Sequence, residues 1–263
     1  MSENEEKVAL HSTYFSALRC GAAVVVREYA RIGGAAGRRA HIDVARGGCG
    51  STSTEKEKLD SKEFADKILK NTLSPSDSMR LHTMLTEILN DCMGQTMLQE
   101  IYNKGTQISI TFDSTIDNSR YNFDSSIVMK NDHSEGLVHE LFHYYQHQRL
   151  GSENFSGAKA NYEIEAYLAT YMYMDRAFDL SMYRRQKLFA KNAAIGVQIN
   201  QMYALIFNDA TFVEYNEKED YFHKLFLAAA KKYSNTNDHA TYNEEQSLEQ
   251  HIQNLKEVSV DCE

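Results

Sequence analysis

The sequence predicts an α+β chain, rich in helix, with a small sheet placed just ahead of one central helix. Three observations carry that prediction. Apolar residues recur at helical spacing, as in Met79, Leu85, Ile88, Leu89, Cys92 and Met93. Ile108, Ile110 and Phe112 alternate with polar residues instead, which is the period of a half-buried strand. Tryptophan is absent, proline occurs once, and sixteen tyrosines with twelve phenylalanines supply aromatic packing for a helical core.

Residues 1–58 carry nine basic against seven acidic side chains, a net of +2 that leaves −11 of the total −9 for the remainder. Glycine and alanine crowd positions 33–40, and Gly47, Gly48 and Gly50 run into Ser51-Thr52-Ser53-Thr54. That is linker composition, so 1–58 is predicted as a poorly ordered tail and 59–263 as one domain. A helix is predicted over 60–69. Ser74-Pro75-Ser76-Asp77 opens a longer one running to about Tyr102, because serine caps a helix start and proline suits its first turn. Strands follow at 108–112 and 126–130, with Tyr121 and Phe123 as candidates to extend the second across the polar connection 113–124. The central helix comes next, then a turn-prone segment from Gly151 to Gly157 and a helix from near Asn161. Helices over 182–207, 221–233 and 244–258 complete the chain.

A net charge of −9 argues against nucleic acid as partner, since phosphate binding draws on clustered Lys and Arg. No apolar run approaches the roughly 20 residues of a membrane-spanning helix. The acidic start Glu3-Asn4-Glu5-Glu6 lacks the basic region of a signal peptide. The expectation is a soluble protein, cytoplasmic or exported without a recognisable signal peptide. Cys20, Cys49, Cys92 and Cys262 form no CxxC pair, which predicts neither a zinc finger nor a dense disulfide framework, although two bridges could form after export.

The central helix carries His139-Glu140-Leu141-Phe142-His143. Residues four apart share a helix face about 6 Å apart along the axis, so His139 and His143 can converge on one ion while Glu140 reaches a water beside it. This is the HExxH arrangement of zinc hydrolases, and a catalytic zinc ion (Zn2+) needs a third protein ligand. The pattern HExxHxxGxxH does not continue here, because Gln146 and Arg149 occupy its last two positions. His147 stands about 12 Å along the axis from His139, too far to join, and is read as an outer partner or a surface residue. The following helix offers Glu163 and Glu165, which differ by about 200° around the axis, so only one can face the ion. Glu163 is the predicted ligand, on a face with Ala166, Tyr167 and Thr170. Glu165 is predicted to face solvent or to accept an outer hydrogen bond, and is the alternative ligand.

His139, Glu140, His143 and Glu163 resemble the gluzincin metallopeptidases, in which a glutamate on the next helix, in an ExxA or ExxxD context, is the third ligand. The resemblance implies a zincin-like fold, with the strand at 126–130 as a substrate-binding edge beside the metal, and hydrolysis of a peptide or protein substrate. Glu140 would take a proton from the attacking water and deliver it to the leaving amine. It departs from the thermolysin pattern at Tyr167, where an aspartate would orient the first histidine, so another group must fix that ring. Gluzincins also use a downstream Tyr or His for the oxyanion, and His223, His239, Tyr233 and Tyr242 are the candidates. A glycine-rich linker ahead of an HExxH domain is similar to the peptidase modules at the C-terminal ends of bacterial toxins and effectors, which leaves an immunity or inhibitor protein as an unidentified partner. The alternative function is a zincin-like binding or effector domain without turnover.

Overall fold

The computed structural model describes residues 59–178, 193–207, 219–237, 240–259 and 262. The predicted tail 1–58 and the start of the helix predicted over 182–207 therefore lie outside the described residues. Helix α1 (Ser61–Ile68) begins at Asp60, whose carboxylate accepts the N–H groups of Lys62 and Glu63. Ser74 caps α2 (Pro75–Leu89), with Pro75 in the first turn as its sequence predicts.

The long helix predicted to reach Tyr102 is two helices. Asp91 takes extended backbone angles and caps α3 (Cys92–Lys104) by accepting the Gly94 N–H. A Cβ at Gly94 would stand 2.2 Å from the Ile88 carbonyl oxygen, so this tight corner requires glycine. Arg176 pairs with Asp91 at 2.8 Å and fixes the corner from outside.

Strands β1 (Ser109–Phe112), β2 (Arg120–Asn122) and β3 (Ser126–Met129) form one sheet in the order β1-β3-β2, with β1 parallel and β2 antiparallel to β3. The strand predicted at 126–130 as a substrate-binding edge is therefore central. Both its edges are paired, and Tyr121 belongs to a separate edge strand. Asn71 closes the far edge of β1, its amide exchanging hydrogen bonds with the N–H and C=O of Ile110.

Helix α4 (Ser134–Gly157) follows the sheet and packs on it and on α5 (Lys159–Phe178). Leu137, Val138, Leu141, Phe142, Tyr144 and Tyr145 are buried on one broad face and Glu140, His143 and Gln146 on the other, as expected of a helix inside the core rather than on it. The segment predicted as a turn at 151–157 stays helical past a kink at Gly151, whose φ of 75° lies in the left-handed region that glycine tolerates. Helix α5 starts two residues earlier than predicted. Helices α6 (Ala193–Phe207) and α7 (Glu219–Thr236) pack on each other and on α5. The helix predicted over 244–258 is broken at Ile252 into α8 (Leu248–His251) and α9 (Gln253–Ser259), and α9 lies against α3 and α5.

A disulfide joins Cys92, at the start of α3, to Cys262 beyond α9. Their sequence contexts gave no sign of pairing. Cys20 and Cys49 fall outside the described residues. No helix among the described residues is long and apolar enough to cross a membrane.

Candidate metal centre

Helices α4 and α5 bring His139, His143 and Glu163 together. His139 Nε2 and His143 Nε2 stand 3.2 Å apart, and the Glu163 carboxylate oxygen lies 3.5 Å from the first and 3.4 Å from the second. Ligands at the corners of a tetrahedron with bonds of about 2.0–2.1 Å are separated by about 3.4 Å, so the three atoms trace one face of a zinc tetrahedron and leave the fourth corner open.

The outer hydrogen bonds say which ring nitrogens face inward. Thr170 donates its hydroxyl proton to the Ala166 carbonyl at 2.7 Å, so its oxygen accepts from His139 Nδ1 at 3.2 Å. Gln146 donates its amide protons to the Tyr162 carbonyl at 3.1 Å and to the Glu165 carboxylate at 2.8 Å, which leaves its oxygen to accept from His143 Nδ1 at 2.9 Å. With both Nδ1 atoms donating, two imidazole lone pairs and a carboxylate oxygen converge within 3.5 Å. Such a set is relieved by a proton on one Nε2 or by a cation among the three atoms, and its donors are those that zinc takes. The residues fit the ion.

Electrostatics follow from this crowding. Burial opposes charge on His143, yet Glu163 raises its pKa to about 9. Burial equally opposes charge on Glu163, and the two histidines nonetheless hold it far below the usual carboxylate range. Glu140 is buried, and loss of hydration raises its pKa against the pull of His139 and His143. The backbone of Tyr121, on edge strand β2, lies near the Glu140 carboxylate and offsets a small part of that rise.

Each predicted residue can now be placed. Glu165 does not face solvent: it is fully buried and accepts from Gln146, from Asn254 at 2.9 Å and from the Leu255 N–H at 2.8 Å, while burial pushes it up to about 7. Glu163 therefore stands beside the histidines and Glu165 behind them. His147 engages the Tyr121 hydroxyl and, at 2.8 Å, Ser152. Tyr167 sets its ring 4.8 Å from that of His139, and Thr170 occupies the orienting position that the expected aspartate would fill.

Among the oxyanion candidates, Tyr233 on α7 sets its ring 6.4 Å from that of Tyr167, and burial together with the nearby Glu163 carboxylate raises its pKa strongly. His223 stands ten residues earlier on the same helix, about 15 Å along the axis. Tyr242 packs against the core near Glu244, and His239 lies outside the described residues. Gln146 was overlooked as a participant. Its signal was present in the spacing, because residue 146 lies three beyond His143 and seven beyond His139, on the face that carries both rings. Scans against protein-family models, curated proteins and solved structures found no match to the chain.

Proposed function

We propose that the chain is a zinc-dependent metallopeptidase of gluzincin type, with a zincin-like arrangement of sheet and ligand helix, acting on a peptide or protein substrate. The observation that carries this reading is the triangle of 3.2, 3.4 and 3.5 Å formed by His139, His143 and Glu163. Those three residues would hold the ion. When bound, zinc supplies a water of lowered pKa and an electrophile for the scissile carbonyl.

The remaining work falls to the chain's own side chains. Glu140, with its pKa raised by burial, takes the proton of the attacking water and passes it to the leaving amine. The phenol of Tyr233 provides a proton donor for the oxyanion beside Glu163. The outer edge of β2, next to α4, is where an extended substrate would align through main-chain hydrogen bonds.

Elemental analysis of the full chain, purified without chelator, is expected to find about one zinc per chain; folded, metal-free protein would overturn the metal assignment. Glu140→Gln is expected to keep zinc and to lose hydrolysis of a peptide library by several orders of magnitude. Equal turnover by wild type and variant would remove Glu140 from its role. Zinc binding without wild-type turnover would instead favour a zincin-like binding domain.

A further inference from the structure

Gln146 is one turn beyond His143 on α4 and has no exposed surface. Its amide has a single consistent orientation. One proton goes to the Tyr162 main-chain carbonyl, which cannot donate in return and so fixes the amide, and the other to the Glu165 carboxylate, which leaves Oε1 for His143. Behind it, Glu165 is also without exposed surface, and its remaining acceptor positions are taken by the Asn254 amide and the Leu255 N–H, both from α9. The Leu255 N–H belongs to the first turn of that helix and has no carbonyl of its own helix to meet. A continuous line of donors thus runs from His143 Nδ1 through Gln146 to Glu165, where donors from the C-terminal helix also end.

We propose that Gln146 and Glu165 are positioning residues of the metal centre, and that α9 is through them part of its support. The proposal deepens the zinc reading above and rests on it for the ligand role of His143. Gln146 holds the ring with Nδ1 protonated and Nε2 turned to the ion. Glu165 polarises the amide so that its oxygen accepts more strongly, without setting a second negative charge directly against the ring. Asn254 and the Leu255 N–H hold Glu165 in place. Disturbing α9 therefore changes metal affinity, although α9 carries no ligand.

The first test needs neither variant nor metal. Ring nitrogen resonances of His143 in the metal-free full chain, recorded where the ring is neutral, are expected to show the proton on Nδ1. A proton on Nε2 overturns the relay, whatever the protein does with zinc. The second test measures zinc affinity by competition with a chelating dye for wild type, Gln146→Met, Asn254→Ala and the double variant, each checked for native helix content by circular dichroism. Gln146→Met is expected to weaken zinc about 10- to 100-fold. Asn254→Ala is expected to weaken it several-fold in the wild-type background and not at all once Gln146 is Met, because its influence travels through that amide. Unchanged affinity in Gln146→Met, or an Asn254→Ala loss that persists in the double variant, overturns the proposal. A wild-type chain that takes up no zinc instead overturns the metal reading, while the tautomer measurement continues to judge the relay. Should Gln146→Met fail to fold, Glu165→Gln takes its place, since it keeps the shape and removes the charge.

Discussion

His139 leans on one threonine hydroxyl, whereas His143 leans on an amide, a carboxylate and the first turn of the C-terminal helix. The two rings stand on one helix and offer the same atom to the same centre. Their supports nevertheless differ in reach. Thr170 lies on the helix that also supplies Glu163, seven residues further on and so close to the same face. The support of His143 joins residue 146 to 165 and then to 254 and 255, gathering distant chain segments behind one nitrogen. One half of the centre is set by the packing of α5 on α4, and the other draws in the C-terminal helix as well.

The largest effects expected are those of removing a ligand. His139→Ala and His143→Ala should each reduce zinc uptake by several orders of magnitude, because two protein ligands do not make the site. Their stabilities should part company. His143→Ala leaves the buried Gln146 oxygen without a donor, at about 1–3 kcal/mol, while the Thr170 hydroxyl keeps its bond to Ala166 when His139 is lost. Metal content and thermal melts of the two metal-free variants check this. Variants holding zinc like wild type would remove the triangle as a metal site.

The disulfide offers a second way to break the comparison. Helix α9 is pinned near its start by Glu165 and beyond its end by Cys92–Cys262, which closes a loop across 170 residues. Replacing both cysteines by alanine should cost about 2–5 kcal/mol of stability. At temperatures where the variant stays folded, amide exchange should rise in α9, and the His143 Nδ1 proton should exchange faster, with His139 unaltered. Equal acceleration at both rings would mean that α9 is no special support of His143.

The converging histidines were legible in the sequence because HExxH places them by helical spacing alone, while rotation admitted only one of Glu163 and Glu165 and the ExxA pattern with Ala166 selected Glu163. Their surroundings were legible only in part. That Thr170 shares a face with Glu163 is a matter of periodicity, but that it replaces the missing aspartate depends on how close α5 comes to α4. Gln146 looked like a mere departure from a longer motif, since nothing local reveals that its partner is Glu165 and that Glu165 is held from residues 254 and 255. Strand β2 was hidden for another reason: three residues between polar turns carry too little alternation to be read. The break at Asn90-Asp91 was masked by an apolar stripe that continues through it, and the pairing of Cys92 with Cys262 is a property of the fold, not of either neighbourhood.

A smaller effect is expected from pH, and it belongs to the His143 half. Its pKa in the metal-free fold is raised from 6.5 to about 9, chiefly by Glu163 against the opposing effect of burial. A raised basic group stabilises fully below its unfolded value and ceases to do so as pH climbs through its folded one. Metal-free protein should therefore lose stability between pH 6.5 and about 9, with a slope of up to about 1.4 kcal/mol per pH unit. Zinc-loaded protein should show no such slope, because the ion then occupies the place of that proton. Denaturant melts across this range, with and without zinc, read the difference, and identical slopes would show that His143 does not exchange a proton for the metal.

The smallest effect tests the other half. Thr170→Val keeps the shape of the side chain and removes the acceptor for His139 Nδ1. That hydrogen bond is long, at 3.2 Å, and the His139 side chain is still 14% exposed, so water can take over the acceptor's place. The ring is also confined by Tyr167, whose ring centre lies 4.8 Å away and is untouched by the substitution. Zinc affinity should accordingly fall by less than about 10-fold, below the 10- to 100-fold range of a fully dependent outer partner, and Thr170→Ser should restore it. The same chelator competition that measures Gln146→Met gives the number. A loss in Thr170→Val equal to that in Gln146→Met would show that a single hydroxyl supports its histidine as firmly as the buried relay does, and the distinction between the two rings would then be one of layout without energetic consequence.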